Sequence, residues 1–188
     1  GPDPVYLVPH GLGGWFRRAG LKRVVEMRWW EQERIAGLDI TFVPAQHWSR
    51  RGMADTNTSW WGGFVVERGG IRVYHSGDTA WFDGFAEIGA RCGEIQAAML
   101  PIGAYAPRWF MRDNHMNPDD AVQAHLQLQS QQSMAIHFGT FKLSDEGQFA
   151  PLMALEQALH DRQVPSESFR APKPGEQWRV APLGDVAE

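Results

Sequence analysis

Apolar and polar positions alternate along the chain with two periods, one typical of strands and one typical of helices. Short apolar or alternating runs predict strands over residues 4–9, 23–28, 38–45, 64–67, 71–74, 97–102 and 133–136. Apolar positions three and four residues apart predict helices over residues 12–19, 83–92, 118 to about 129 and 149–161. Because strands and helices alternate, the pattern predicts an α/β fold in which helices pack on a mixed sheet.

Turn and capping residues refine this prediction. Arg68-Gly69-Gly70 separates two apolar runs, and glycines that can take positive φ favour a hairpin at that point. Asn117 followed by Pro118 is a typical helix start, with a capping side chain and then proline at the first helical position. The sheet is therefore expected to contain at least one antiparallel pair.

The two ends of the chain carry weaker patterns than its middle. Residues 4–9 predict a buried strand with no preceding element to pair with, so we expect the N-terminal part of the fold to be missing from this chain. Residues 172–188 predict a short C-terminal strand followed by a tail. We expect one partial domain over residues 1–188, because 188 residues are enough for one well-buried core but not for two.

Composition and charge argue against nucleic acid as a partner and favour a reducing cellular compartment. The net charge is -4 and the basic residues are scattered, which gives no electrostatic footprint for nucleic acid. Cys92 is the single cysteine, which favours a reducing, cytoplasmic location. Most of the nine tryptophans are interpreted as packing residues. A lipid-facing aromatic rim, and with it a peripheral position at a membrane surface, is the less favoured interpretation.

Polar residues follow several of the predicted strands. His47, Asp78, Tyr105 and His137 stand just beyond carboxyl ends of strands, and His115 lies in a loop that enters a helix. In open α/β sheets, ligands bind at that edge. Imidazole and carboxylate groups are ligands of zinc, and a carboxylate can bridge two ions, so the pattern predicts a dinuclear hydrolase site.

Each of these residues also has a structural interpretation when it is taken alone. A histidine after a strand is more often a hydrogen-bonded structural residue, and Gly-Asp-Thr is compatible with an Asx turn. The remaining histidines are interpreted as structural: His10, His75, His125 and His160. Three charged residues are equally compatible with solvated loops: Arg108, Asp113 and Glu146.

Four stretches together carry a resemblance to a known family. They are Pro-Ala-Gln-His-Trp at 44–48, Ser-Gly-Asp-Thr at 76–79, Pro-Ile-Gly-Ala-Tyr-Ala-Pro-Arg-Trp-Phe-Met at 101–111 and Ser-Met-Ala-Ile-His-Phe-Gly-Thr-Phe at 133–141. They resemble successive motifs of the metallo-β-lactamase superfamily, and more closely its N-acylphosphatidylethanolamine-hydrolysing phospholipase D branch. The similarity spans roughly residues 5–159. It implies a metallo-β-lactamase αβ/βα sandwich with two zinc ions at one edge.

The resemblance also implies a role for each candidate residue. His47 would complete one zinc site, His137 would complete the other, and Asp78 would bridge both ions. His115 would act in catalysis with Asp78, by orienting the substrate or protonating the leaving group. Substrate contacts are assigned to Asn114, which replaces a glutamine of the family, and to Tyr105 and Arg108.

One family motif is not found in this chain. The superfamily supplies four metal ligands from a His-x-His-x-Asp-His segment, and no two histidines here have that spacing. The resemblance therefore implies a C-terminal portion, which would need the missing N-terminal segment in the same polypeptide or as a separate chain. Alone, the chain is expected to bind metal weakly.

The leading hypothesis is a zinc-dependent phosphodiesterase of the phospholipase D type, acting on N-acylphosphatidylethanolamine-like lipids with zinc-bound hydroxide as the nucleophile. A second hypothesis keeps the metals but has them act on a carbonyl substrate such as a lactone. A third treats the chain as an inactive structural fragment. The sequence also leaves open whether the chain forms a homodimer.

Overall fold

The computed structural model describes residues 4–180. Its strands are β1 (Tyr6–Pro9), β2 (Val24–Met27), β3 (Gln32–Ile35), β4 (Leu38–Val43), β5 (Gly63–Arg68), β6 (Ile71–His75), β7 (Ala97–Pro101), β8 (Gln132–Ile136) and β9 (Phe169–Arg170). Its helices are α1 (Gly13–Arg18), α2 (Gly84–Cys92), α3 (Arg108–Met111), α4 (Pro118–Gln127) and α5 (Ala150–Asp161).

The strands form two sheets. β1 and β2 make a two-stranded parallel sheet, and α1 connects them along the chain. The other strands make a seven-stranded sheet in chain order from β3 to β9. Neighbours from β3 to β6 are antiparallel, whereas those from β6 to β9 are parallel. The predicted α/β fold, with a mixed sheet flanked by helices, is confirmed.

Two local predictions are confirmed together with their physical causes. Gly69 and Gly70 have φ of 59° and 82°, and they close the hairpin between β5 and β6. At the start of α4, the Asn117 side chain accepts a hydrogen bond from the Asp120 amide at 2.8 Å, and Pro118 occupies the first turn. Both elements therefore begin or turn where the sequence indicates.

Three short elements were not predicted. β3 is a mostly polar edge strand, whose residues Gln32 and Arg34 are exposed, so its sequence carries no apolar period. The single-turn helix α3 and the two-residue strand β9 are also too short to leave a periodic signal. Over 172–180, part of the predicted C-terminal strand and tail, the backbone forms no strand. Residues 181–188 lie outside the described part of the chain.

The main core lies between the seven-stranded sheet and helices α2, α4 and α5. Tyr74 and Leu100 from the sheet, Phe85 from α2 and Val122 from α4 are completely buried there. Burying a large apolar side chain contributes about 1.5–3 kcal/mol, so this face holds the helices on the sheet. Within residues 4–180, no helix combines the length and apolarity needed to cross a bilayer.

One titratable side chain lies in this core. His125 of α4 is 5% exposed, its Nδ1 lies 2.8 Å from the Ser133 hydroxyl, and its ring lies 5.8 Å from the Phe169 ring. Burial lowers the pKa of His125. The folded protein therefore favours the neutral imidazole, as expected for a structural histidine.

We predict that His125 makes the fold less stable as the pH falls below about 6.5, the ordinary pKa of histidine. Below that pH the unfolded chain binds a proton that the folded chain resists, and each unit by which the pKa is lowered corresponds to about 1.4 kcal/mol. His125→Gln should therefore lose less unfolding free energy than the wild type between pH 7 and pH 5, as measured by urea titration.

The exposed His160 provides the matched control, since its side chain is 84% exposed. His160→Gln should retain the pH dependence of the wild type. The same slope in all three proteins would contradict the assignment to His125.

Candidate active site

The directions of four strands bring the predicted site residues to one edge of the sheet. β4 and β6 are both antiparallel to β5 and thus point the same way, and β7 and β8 are parallel to β6. The loops after these strands carry His47, Asp78, Tyr105 and His137. Residues far apart in sequence therefore meet at one end of the sheet.

Three histidines and one aspartate form the centre of this edge. The ring of His115 lies between those of His47 and His137, with ring centroids 5.5 Å apart in both pairs. The rings of His115 and His137 are stacked at 25°, and His47 stands nearly perpendicular to His115 at 83°. Asp78 joins the cluster through its Oδ1, which lies 3.2 Å from Nε2 of His137.

Each imidazole presents a nitrogen that has no hydrogen-bond partner among the described residues. Nδ1 of His47 donates to the carbonyl of Trp48 at 3.0 Å, which fixes the tautomer and leaves the lone pair on Nε2. That Nε2 is buried and unpartnered, as are Nδ1 of His115 and Nδ1 of His137. An unpartnered ring nitrogen of this kind can coordinate a metal ion or accept a proton from a ligand that reaches it.

Electrostatics keep the central ring uncharged at neutral pH. Burial is the largest influence on the pKa of His115, and it lowers that pKa. The rings of His137 and His47 lower it further, whereas the carboxylates of Asp78 and Glu146 oppose this change only in part. A neutral His115 can accept a proton or coordinate through its free lone pair.

The loop after β6 positions Asp78. Gly77 has φ of 66°, and a Cβ at this residue would lie 2.9 Å from the carbonyl oxygen of Gly62. The Gly77 amide donates to Nδ1 of His75 at 3.0 Å, so His75 supports the turn. The Asp78 side chain is 48% exposed, and its carboxylate is accessible beside His137.

The loop after β8 positions His137 in an uncommon conformation. His137 has φ of 58°, in the left-handed region that non-glycine residues seldom adopt. Gly103, after β7, lies directly against the His137 carbonyl, and a Cβ at Gly103 would overlap it. Ile102 donates to the Ile136 carbonyl at 3.1 Å, which extends the pairing of β7 and β8 up to the site.

Arg108, assigned to substrate binding by the sequence, is engaged by protein groups. Its Nη1 donates to the His115 carbonyl at 2.8 Å, and its Nη2 donates to Oδ2 of Asp120 at 2.7 Å. Asn114 lies beside His115 and is partly exposed, and Tyr105 is partly buried with a pKa raised first by burial and then by Glu146. The substrate-binding roles of these residues stay predictions.

Glu146, whose role the sequence leaves open between a site residue and a solvated loop charge, is bound to the loop after β7. Its carboxylate accepts hydrogen bonds from the amides of Ala104 at 2.6 Å and Ala106 at 3.0 Å. Burial alone would raise the pKa of Glu146, but bonds from Ser144 and these amides hold it below its usual value. Only the tertiary structure reveals this contact, because the partners lie some 40 residues apart.

A groove of about 350 Å³ opens beside His137. It is lined by Gly103, Ala104, residues 137–148 and Pro151. Large apolar side chains are exposed on the segments next to the histidines, including Trp109 at 81% and Phe141 at 79%. The edge therefore combines polar donors with an apolar border.

The donor set at this edge is incomplete for a metal ion. Within residues 4–180, no three His, Cys, Asp or Glu side chains are arranged closely enough to hold an ion by themselves. The donor types nevertheless fit zinc, and unpartnered ring nitrogens are what coordination requires. The residues present are therefore consistent with part of a metal site.

Comparison with known proteins identifies relatives. A family model described as Beta-lactamase superfamily domain matches residues 4–138. N-acyl-phosphatidylethanolamine-hydrolyzing phospholipase D 1 of Caenorhabditis elegans is 35% identical over 96% of this chain and 54% of its own length. A UPF0173 metal-dependent hydrolase of Exiguobacterium is 38% identical over 54% of this chain and 42% of its own length.

A solved structure supports the same fold. Igni18, a metallo hydrolase of Ignicoccus hospitalis, matches with a TM-score of 0.66 and 21% identity over 92% of this chain and 66% of its own. The chain spans about half the length of the curated relatives named above. Because the family model covers most of the chain and its neighbours share the fold, the chain belongs to the metallo-β-lactamase superfamily.

Proposed function

We propose that this chain carries the active edge of a zinc-dependent phosphodiesterase of the phospholipase D type, which cleaves N-acylphosphatidylethanolamine-like lipids. The observation that carries the proposal is the convergence of His47, Asp78, His115 and His137 beside an open groove. The relative from Caenorhabditis elegans, named for hydrolysis of that lipid class, supports the choice of substrate.

His47, Asp78 and His137 are the residues that would hold metal. The lone pair on Nε2 of His47 is directed by the Trp48 carbonyl, and the Asp78 carboxylate adjoins Nε2 of His137. Bound zinc supplies Lewis acidity, lowers the pKa of coordinated water towards about 7 and stabilises charge at phosphorus. The name of the Exiguobacterium relative supports a metal cofactor in this family.

Further ligands would have to come from another segment. Catalytic zinc generally has three protein ligands, and His47, Asp78 and His137 cannot provide three for each of two ions. A His-x-His-x-Asp-His segment, in the same polypeptide or in a partner chain, would supply the remainder. Its side chains would complete the edge that the present residues form only in part.

His115 is the residue best suited to proton transfer. Its neutral ring lies 5.5 Å, centroid to centroid, from the rings of both proposed histidine ligands. Its backbone is held by the Arg108 guanidinium, so the ring has a fixed place above the site. From that place it would orient the phosphodiester, or accept a proton from the attacking water and pass it to the leaving oxygen.

The apolar border favours a substrate that has both a charged and an apolar part. Phe141 and Leu143 line the groove and are 79% and 63% exposed. Trp109 and Phe110, just before the His115 loop, are 81% and 64% exposed. Acyl chains would contact these side chains while the phosphate faced the histidines.

The proposal predicts which substrate the reconstituted site cleaves. The chain, combined with a peptide bearing a His-x-His-x-Asp-His segment and zinc, should convert N-acylphosphatidylethanolamine in mixed micelles to phosphatidate and N-acylethanolamine. A chelator should abolish the reaction, and added zinc should restore it. Product analysis by mass spectrometry checks the outcome.

A lactone assayed in parallel separates the alternatives. Cleavage of the lactone without the phosphodiester would replace the proposal with a carbonyl hydrolase. No turnover of either substrate by a zinc-loaded sample would favour a purely structural role.

We predict that Asp78 contributes more to metal binding than either histidine ligand, because its carboxylate would contact both ions. In the chain reconstituted with the His-x-His-x-Asp-His peptide, Asp78→Ala should lose both equivalents of bound zinc, whereas His47→Ala and His137→Ala should each weaken mainly one, by at least about 10- to 100-fold. Elemental analysis after equilibrium dialysis measures this difference, with the exposed His160→Ala as the control. Equal losses in all three variants would argue against a bridging carboxylate.

His115 should be needed for turnover but not for metal. His115→Ala is expected to keep the zinc content of the wild type while kcat falls by about 10²- to 10⁴-fold, the usual contribution of proton transfer. Parallel measurement of kcat and zinc content tests this. Loss of zinc in the variant would instead make His115 a metal ligand.

A further inference from the structure

Thr79 connects three loops of the candidate site through its hydroxyl and carbonyl groups. Its side chain is completely buried. The hydroxyl oxygen accepts a hydrogen bond from the Gln46 amide at 3.0 Å and donates one to the Ala80 carbonyl at 2.7 Å. The Thr79 carbonyl accepts a hydrogen bond from the Met116 amide at 3.1 Å.

Two hydrogen-bond partners of Thr79, Gln46 and Met116, are sequence neighbours of histidines in the cluster, and the third, Ala80, follows Thr79 directly. Gln46 precedes His47, Met116 follows His115, and Asp78 precedes Thr79. The loop after β4, the loop after β6 and the segment before α4 are thus joined at one residue. A second pair of backbone groups, the Ala80 amide and the Gln46 carbonyl at 2.8 Å, reinforces the first link.

We infer that Thr79 is a positioning residue that sets where His47 and His115 lie relative to Asp78. The hydroxyl holds the loop that carries His47, and the carbonyl holds the segment that carries His115. This inference rests on the proposed metal function only for its consequence, since the hydrogen bonds exist without a metal. Threonine suits the position because its β-branched side chain is restricted at χ1, which keeps the hydroxyl aimed at the Gln46 amide.

Two substitutions separate the hydroxyl from the shape of the side chain. Thr79→Val keeps the shape but leaves the part-buried Gln46 amide without its acceptor and the Ala80 carbonyl without the hydroxyl donor. Thr79→Ser keeps the hydroxyl and removes a methyl group. Ser130→Ala is the matched control, because Ser130 is also buried and its hydroxyl donates to a backbone carbonyl at 2.6 Å. Ser130 lies just before the first residue of β8, at the opposite end of that strand from His137.

The first readout is amide hydrogen exchange by NMR in the metal-free chain. In Thr79→Val the Gln46 amide should exchange at least about tenfold faster, since it loses its acceptor. The Met116 amide should keep its protection, because its acceptor is the main-chain carbonyl. Thr79→Ser and Ser130→Ala should leave both amides as in the wild type.

The second readout is the affinity for Co²⁺ of the chain combined with a peptide bearing a His-x-His-x-Asp-His segment, followed by the visible absorption of the ion. Thr79→Val should bind Co²⁺ about 10- to 100-fold more weakly, as is usual when a group that supports metal ligands is lost. Thr79→Ser should restore the affinity and the absorption spectrum of the wild type. Ser130→Ala should change neither.

Several results would overturn the inference. These are unchanged exchange at Gln46 in Thr79→Val, equal damage in Thr79→Ser, or faster exchange with unaltered Co²⁺ affinity. If the wild type combined with the His-x-His-x-Asp-His peptide does not bind Co²⁺, the proposed metal function fails, and the exchange data alone then decide whether Thr79 holds the loops. Should Thr79→Val not fold, Thr79→Ala removes the same hydroxyl without added bulk and is judged by the same criteria.

Discussion

The common direction of β4, β6, β7 and β8 is the constraint on which the site depends. Each strand is held by its neighbours along its length, so the loops at its carboxyl end have little freedom to move apart. Glycines then allow the backbones to approach, since Gly103 lies against the His137 carbonyl and Gly77 against that of Gly62. Thr79 adds hydrogen bonds across the remaining distance. The imidazoles lie close together because the loops that carry them are held close together by these backbone contacts.

The charges around this edge explain why it would need a cation. Arg108 lies close to His115, but its guanidinium is bound to Asp120 and to a carbonyl. Glu146 is likewise engaged with two amides. Among the described residues that line the groove, Lys142 and the imidazole of His137 are the basic groups. The cluster of three imidazoles and one carboxylate offers lone pairs, whereas the proposed phosphodiester substrate would need positive charge, which bound metal ions would supply.

Local sequence signals predicted most elements of the fold and the sheet edge at which the candidate residues meet, but not the contacts that support those residues. The Gly69-Gly70 turn and the Asn117 cap act within a few residues, so their effects can be derived from the sequence. Asp78 and His137 were predicted because they follow apolar strands. The bonds of Glu146 and Arg108 join residues that only the tertiary fold brings together. Strand β3 was not predicted because it is a polar edge strand whose structure depends on its antiparallel pairing with β4.

The unpartnered nitrogens link the stability of this edge to its function. A buried polar atom without a partner costs about 1–3 kcal/mol, and the three imidazoles each present one such nitrogen. The free energy of unfolding of a small domain is only about 5–15 kcal/mol, so three unpartnered nitrogens at one edge would lower it considerably. A ligand that binds the folded state offsets it by about 2.7 kcal/mol at a hundred times its dissociation constant. This edge is therefore expected to be most stable when a ligand occupies it, as is typical of a binding site. The structural histidine His125 differs, because its Nδ1 is already paired with the Ser133 hydroxyl.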